Sequence, residues 1–161
     1  MTPREFLDEV VRPNVAEFNV NFGSLRTAYN AVAAVDALAA HIYWWCKTNS
    51  SAEVKGDRDD DRHRERLAGR DKAKGDGNFS LLRDIAKAQK HVQLIYGEPL
   101  IKLAERVTAR SMGAGELRAG GRVGDRPQVV VDIECVGPFY VWNVVDEALA
   151  FLEAEMRRLG I

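Results

Sequence analysis

The chain has 161 residues, 46% of them apolar and 29% charged, and its 23 basic and 24 acidic side chains leave a net charge of −1. That length supports a single domain with a sizeable core, and that composition excludes a disordered or fibrous chain. A charge so near zero excludes a whole-molecule pull on nucleic acid or anionic membrane, so binding to either would need a local patch.

Thr2, Pro3 and Glu5 form a Thr-x-x-Glu capping box with proline at the first helical position, and Phe6, Leu7, Val10 and Val11 follow at helical spacing. Pro13 is expected to break or kink this helix, after which Val15, Phe18 and Phe22 resume an apolar stripe. Ser24 opens the longest predicted helix, from about Leu25 to Thr48. There Leu25, Ala28/Tyr29, Val32, Val35/Asp36, Ala39, Ile42/Tyr43 and Cys46 recur with a near-heptad period. Its alanines allow close helix approach, and Tyr43-Trp44-Trp45 places aromatic bulk at one end.

Residues 55–76 mix charges of both signs and read as a solvated connection, with one helical stretch around Asp60 to Ala68. In the helix that follows, Leu81, Leu82, Ile85, Ala88, Gln89 and Val92 form the predicted buried stripe, and Gly97-Glu98-Pro99 ends the pattern. Residues 100–111 fit either a helix or an edge strand. Residues 112–127 hold five glycines with Arg118, Arg122 and Arg126 and read as a Gly/Arg-rich loop that lacks a phosphate-loop signature. Gln128 to Cys135 alternates as a strand, Gly137-Pro138 turns the chain, and Phe139 to Val144 is the second strand. A C-terminal helix starting at Asn143 or Asp146 presents Val145, Leu149, Leu152, Met156 and Leu159, with Gly160 at its C-cap. The expected fold is mainly α. It is a small bundle of about four helices with one β-hairpin, of two or three short antiparallel strands, before the C-terminal helix, all within a single domain over 1–161.

Cys46 and Cys135 are far apart and neither belongs to a C-x-x-C pair, which points to thiols in a reducing compartment. The first residues carry acids where a secretory leader would be apolar. The most apolar window, Ala31 to Cys46, is shorter than the ~20 residues of a membrane span and contains Asp36 and His41. A cytoplasmic chain without membrane association is the expectation. The three histidines, His41, His63 and His91, lack H-x3-H or H-E-x-x-H spacing, so no metal and no cofactor is expected.

The residues best suited to chemistry lie between Asn78 and His91. At 100° per residue Asp84 and His91 fall nearly in line, with Lys87 between them, all flanking the apolar stripe, while Arg83 and Lys90 point to the far side. A border histidine near a carboxylate can serve as a general acid or base, and Lys87 and Lys90 beside it favour phosphate. A solvated helix rim laced with ion pairs has the same pattern. Asp36 sits on an apolar stripe, where an acid is costly unless paired. Either it is a buried partner of Arg83 or Lys87, or this part of the stripe reaches solvent. His41, about 140° round the helix from Asp36, reads as a packing histidine among aromatic neighbours.

Two segments, Ala34-Val-Asp-Ala-Leu-Ala-Ala-His41 and Leu82-Arg-Asp-Ile-Ala-Lys-Ala-Gln-Lys-His91, resemble a group of short bacterial and phage-borne proteins of uncharacterised activity. The second also resembles the HEPN superfamily of helical bundles. Many of its members are metal-independent, often dimeric ribonucleases whose motif is Arg, a polar residue, then His after four to six intervening residues. Arg83-Asp84 matches its opening, but seven residues separate Arg83 from His91, which sets them about 80° apart on the helix. Two functions follow as expectations. One is a non-catalytic module that binds a protein partner or dimerises through its helices and hairpin. The other is a HEPN-like ribonuclease or RNA binder with His91 as base, assisted by Asp84, and Arg83, Lys87 and Lys90 on phosphate.

Overall fold

The computed structural model describes residues 1–75, 77–91, 99–101, 104–111, 127–134 and 136–161. Helix α1 (Pro3–Phe6), a π-helical turn (Leu7–Val11) and α2 (Arg12–Val20) follow one another without a break. Then come α3 (Leu25–Thr48), a 3-10 turn (Ala52–Val54), α4 (Asp60–Lys74) and α5 (Asn78–His91). Strands β1 (Val107–Arg110), β2 (Gln128–Ile133) and β3 (Gly137–Tyr140) precede α6 (Val141–Leu159). The protein is mainly helical with a small antiparallel sheet before the C-terminal helix.

The capping box forms: Thr2 Oγ1 accepts from the Glu5 N–H at 3.2 Å, and the Thr2 N–H donates to Glu5 Oε2 at 2.8 Å. Pro13 does not break the rod. A proline inside a helix has no N–H to donate, and its ring meets the carbonyl four residues back, here Glu9. Glu9 lies in the π turn, whose wider winding fits a mid-helix irregularity of this kind.

Helix α3 is the axis of the fold, packing against α2, α4, α5 and α6. Its Ala28, Ala31, Val32, Val35, Leu38, Ala39, Ile42 and Cys46 are buried in one continuous core with Leu82, Ile85, Val144, Val145 and Leu152.

Helix α4 is the main departure from expectation: the segment read as a connection is mostly helix, docked on α3 and α5. Asp59 caps it, accepting from the Arg62 N–H at 2.9 Å, and Gly75 ends it at φ +105°. Its buried residues are His63, Leu67, Ala68 and Asp71. The i, i+4, i+8 row 63–67–71 is a proper inward face, but two of its three members are polar, so no apolar period betrays it. Asp71 crosses to the next helix and accepts from the Phe79 N–H at 2.7 Å, satisfying a donor in the first turn of α5.

The sheet order is β1-β2-β3, with Val107 opposite Val131 and Val130 opposite Tyr140. The ambiguous stretch 100–111 thus contains a strand, β1. Gly137 and Pro138 stand inside β3 rather than at the turn, and β3 ends at Tyr140. Helix α6 begins at Val141, earlier than expected, because its buried face already includes Val141, Val144 and Val145. Burial there overrides the strand preference of β-branched residues. Residues 112–126, Val92 and Cys135 lie outside the described residues, so the loop expected over 112–127 is described only at Pro127.

The α2–α3 link rests on the start of β2, where the Val129 N–H donates to the Phe22 carbonyl at 2.9 Å. A Cβ on Gly23 would stand 2.4 Å from the Pro127 carbonyl oxygen. Gly23→Ala must therefore push two backbone segments apart. The expected loss is about 1–3 kcal/mol in urea unfolding, with the denaturant slope unchanged.

Candidate functional site

Helix α5 does not present its titratable residues together. Arg83 is turned inward, 4% exposed, whereas the 100° wheel had set it on the far side with Lys90. Its Nη2 donates to Asp61 Oδ1 at 2.7 Å, and its Nε lies 3.6 Å from Asp36 Oδ1. Asp36, itself 6% exposed, also accepts from Arg64 Nη1 at 2.6 Å, and Arg64 Nη2 reaches Asp60 Oδ2 at 2.8 Å. Two carboxylates at the start of α4, two guanidiniums and Asp36 of α3 thus join three helices. The wheel fails for Arg83 because α5 is covered on two sides, by α4 as well as by α3 and α6.

Asp84 is half-buried, and its Oδ2 accepts from the Leu100 N–H at 2.8 Å. Burial raises its carboxyl pKa, with that hydrogen bond pulling the other way. Lys87 is half-buried, and Lys90 and His91 are exposed at the last positions of α5. Gln89, expected in the buried stripe, is exposed as well. Arg83 and Asp36 are brought together; Arg83 and His91 are not. His41 stacks on Phe6, ring centroids 3.9 Å apart and 15° from parallel, and burial lowers its pKa.

A second polar cluster lies between α4, the 3-10 turn and α6, and nothing in the chain's motifs announces it. Glu53 Oε1 accepts from Arg66 at 2.6 Å and from Arg70 at 2.7 Å, while Glu53 Oε2 lies 3.0 Å from Arg158. Burial alone would raise the Glu53 carboxyl, but these three guanidiniums outweigh it and hold the pKa at about 2. Glu155, 2% exposed, accepts from Arg70 at 2.5 Å, Arg158 at 2.9 Å and Lys74 at 3.3 Å; they overcome its burial and lower its pKa too.

His63 is fully buried in the same cluster, its Nδ1 2.8 Å from Asp57 Oδ2. Arg66 chiefly, then His63, lowers the Asp57 pKa, and burial lowers that of His63 against the pull of Asp57. An aspartate orienting a neutral imidazole is a general-base geometry in form. Here Nε2 has no hydrogen-bond partner among the described residues and no exposed surface, so no substrate atom can reach it. The pair joins the 57–63 turn to α4. The residue spacing Asp57–His63–Arg66 was the one available signal, and it is a common one in charged helices.

Among the described residues no three His, Cys, Asp or Glu side chains group to hold a metal ion, and no helix is long and apolar enough to cross a membrane. The chain matches no family profile, no curated protein and no solved structure.

Proposed function

We propose that this chain is a non-catalytic interaction module, holding a partner on its helical surface rather than cleaving one. The observation that carries this reading is the fate of Arg83. A guanidinium that stabilises a phosphoryl transition state must reach substrate, and the one on α5 is enclosed by Asp36 and Asp61 while His91 faces solvent. Freeing Arg83 would leave Asp36 in the core with Arg64 alone and would break the bond to Asp61, so exposing this guanidinium costs two buried or half-buried ion pairs.

The test is incubation of the purified protein with total RNA in EDTA, wild type beside His91→Ala, with light scattering on the same samples for self-association. RNA is expected to stay intact in both, and His91→Ala, at an exposed helix end, is expected to leave the melting temperature within about 1 °C. Cleavage by the wild type that is lost in His91→Ala would overturn the reading in favour of the HEPN-like ribonuclease.

A further inference from the structure

The C-terminal end of α3 closes in an unusual way. The Ser51 N–H donates to the Cys46 carbonyl at 2.8 Å and the Ser50 N–H to the Lys47 carbonyl at 3.2 Å, the paired bonds of a Schellman turn. The position between them requires a left-handed residue, and glycine is its usual occupant. Here it is Ser50, at φ +52° and the one positive-φ residue other than glycine among those described. A hydroxyl therefore stands where a bare backbone would be less strained.

That hydroxyl lines an open depression of about 530 Å³ together with Tyr43, Lys47, Ser51, Val54 and Lys55. The acids around it are already matched: Asp57, at its edge, is paired with His63 and Arg66, and Glu53 with three arginines. Lys47 and Lys55 are exposed, and neither forms an ion pair with a described residue. The local balance is therefore positive on a chain whose overall charge is −1. Just beyond the rim Trp44 is 55% exposed, the most exposed aromatic side chain among those described. Lys47 Nζ lies 4.9 Å from its ring centre and also donates to the Tyr43 hydroxyl at 3.2 Å. Arg58, whose carbonyl accepts from the same Tyr43 hydroxyl at 3.3 Å, is matched by Asp59 at 2.9 Å, so the unpaired cations here are Lys47 and Lys55.

A flat ring in solvent beside unmatched ammonium groups and hydroxyls is the combination that single strands use, bases on the aromatic and phosphates on the cations. We propose that this end of α3 binds single-stranded nucleic acid, one base stacked on Trp44 and its neighbouring phosphate held by Lys47 and Lys55. The depression is open rather than enclosed, which suits a strand passing through more than a free nucleotide. The inference rests on the non-catalytic reading and supplies its partner.

The test is fluorescence anisotropy of a labelled 12-nucleotide single-stranded RNA in EDTA, between 50 and 200 mM salt. Trp44→Ala is expected to weaken binding about ten-fold while Trp44→Phe retains most of it. The double variant Lys47→Ala/Lys55→Ala should lower the log–log salt slope by about 1.4. Circular dichroism melts of all variants should match wild type, since the side chains are exposed. Absence of wild-type binding at about 100 μM protein would overturn the proposal, as would Trp44→Ala binding like wild type. Equal competition by uridine monophosphate or by a poly-glutamate peptide would overturn it in favour of a nucleotide or acidic-peptide site. A denaturing gel of the titrated RNA separates the two conclusions. His91-dependent cleavage sinks the non-catalytic reading, and Trp44-dependent affinity decides this one either way.

Discussion

Asp36→Ala is expected to destabilise the protein by about 3–5 kcal/mol, the cost of removing one partner from a buried ion cluster. The side chain is 6% exposed, lies in the middle of α3, and is the shared partner of Arg64 and Arg83. Arg64, with 16% of its side chain exposed, keeps its bond to Asp60; Arg83, with 5%, has only Asp61 left. The cost therefore comes from a guanidinium kept out of water with half its charge unmatched. Urea unfolding of Asp36→Ala, Asp36→Asn and the double variant Asp36→Ala/Arg83→Met checks this. The amide should lose less than alanine, and the double variant should recover much of the loss because the stranded cation is gone. A loss below about 1 kcal/mol for Asp36→Ala would mean the cluster is no better than break-even.

Acid should unfold the protein in two stages. Glu53, Asp57 and Glu155 have folded pKa values below their unfolded ones, so their contribution is complete above the unfolded values and is lost as pH falls through the folded ones. For Glu53 the drop from 4.5 to about 2 corresponds to roughly 3–4 kcal/mol as an upper bound. His63 acts earlier. Burial lowers its folded pKa below 6.5, so between those two values the unfolded chain takes a proton that the folded one refuses, and stability declines from about pH 6.5 downward. Asp84, raised by burial, works in the opposite sense and gains as pH falls. Thermal melts from pH 8 to 3 should be level above about pH 7, decline gently from 6.5 and steepen below 4.5, with Glu53→Gln flattening the acid limb. Stability that is level or rising from pH 6.5 to 3 would contradict the ion cluster as described.

The apolar part of the fold was legible in the sequence. The capping box at Thr2 and the long repeat of α3 appear where expected; β2 is a strand as expected but buried on both faces rather than alternating, and the amphipathic C-terminal helix starts at Val141, earlier than its apolar stripe indicates. What escaped was whatever is held by charge. Helix α4 carries no apolar period because His63 and Asp71 occupy two of its inward positions. Arg83 faces inward although its place on the wheel points outward, because helical geometry alone does not say that α4 covers that side. Gly23 and Ser50 could not be singled out from spacing, since their roles depend on Pro127 and on the turn after α3.

The way α4 is attached has a consequence for how the protein answers its surroundings. Most of the bundle is joined by oil-like contacts, which added salt tightens or leaves alone. Besides Leu67 and Ala68, this helix is joined through carboxylates and guanidiniums, several of them partly wet, and the attraction between the wetter ones fades over a screening length of about 8 Å at physiological ionic strength. Dissolved ions therefore act on one segment more than on the rest. Along α4 local opening becomes a matter of the medium, and the 3-10 turn that it anchors, with the Trp44 surface beside it, is ordered most firmly where ions are scarce.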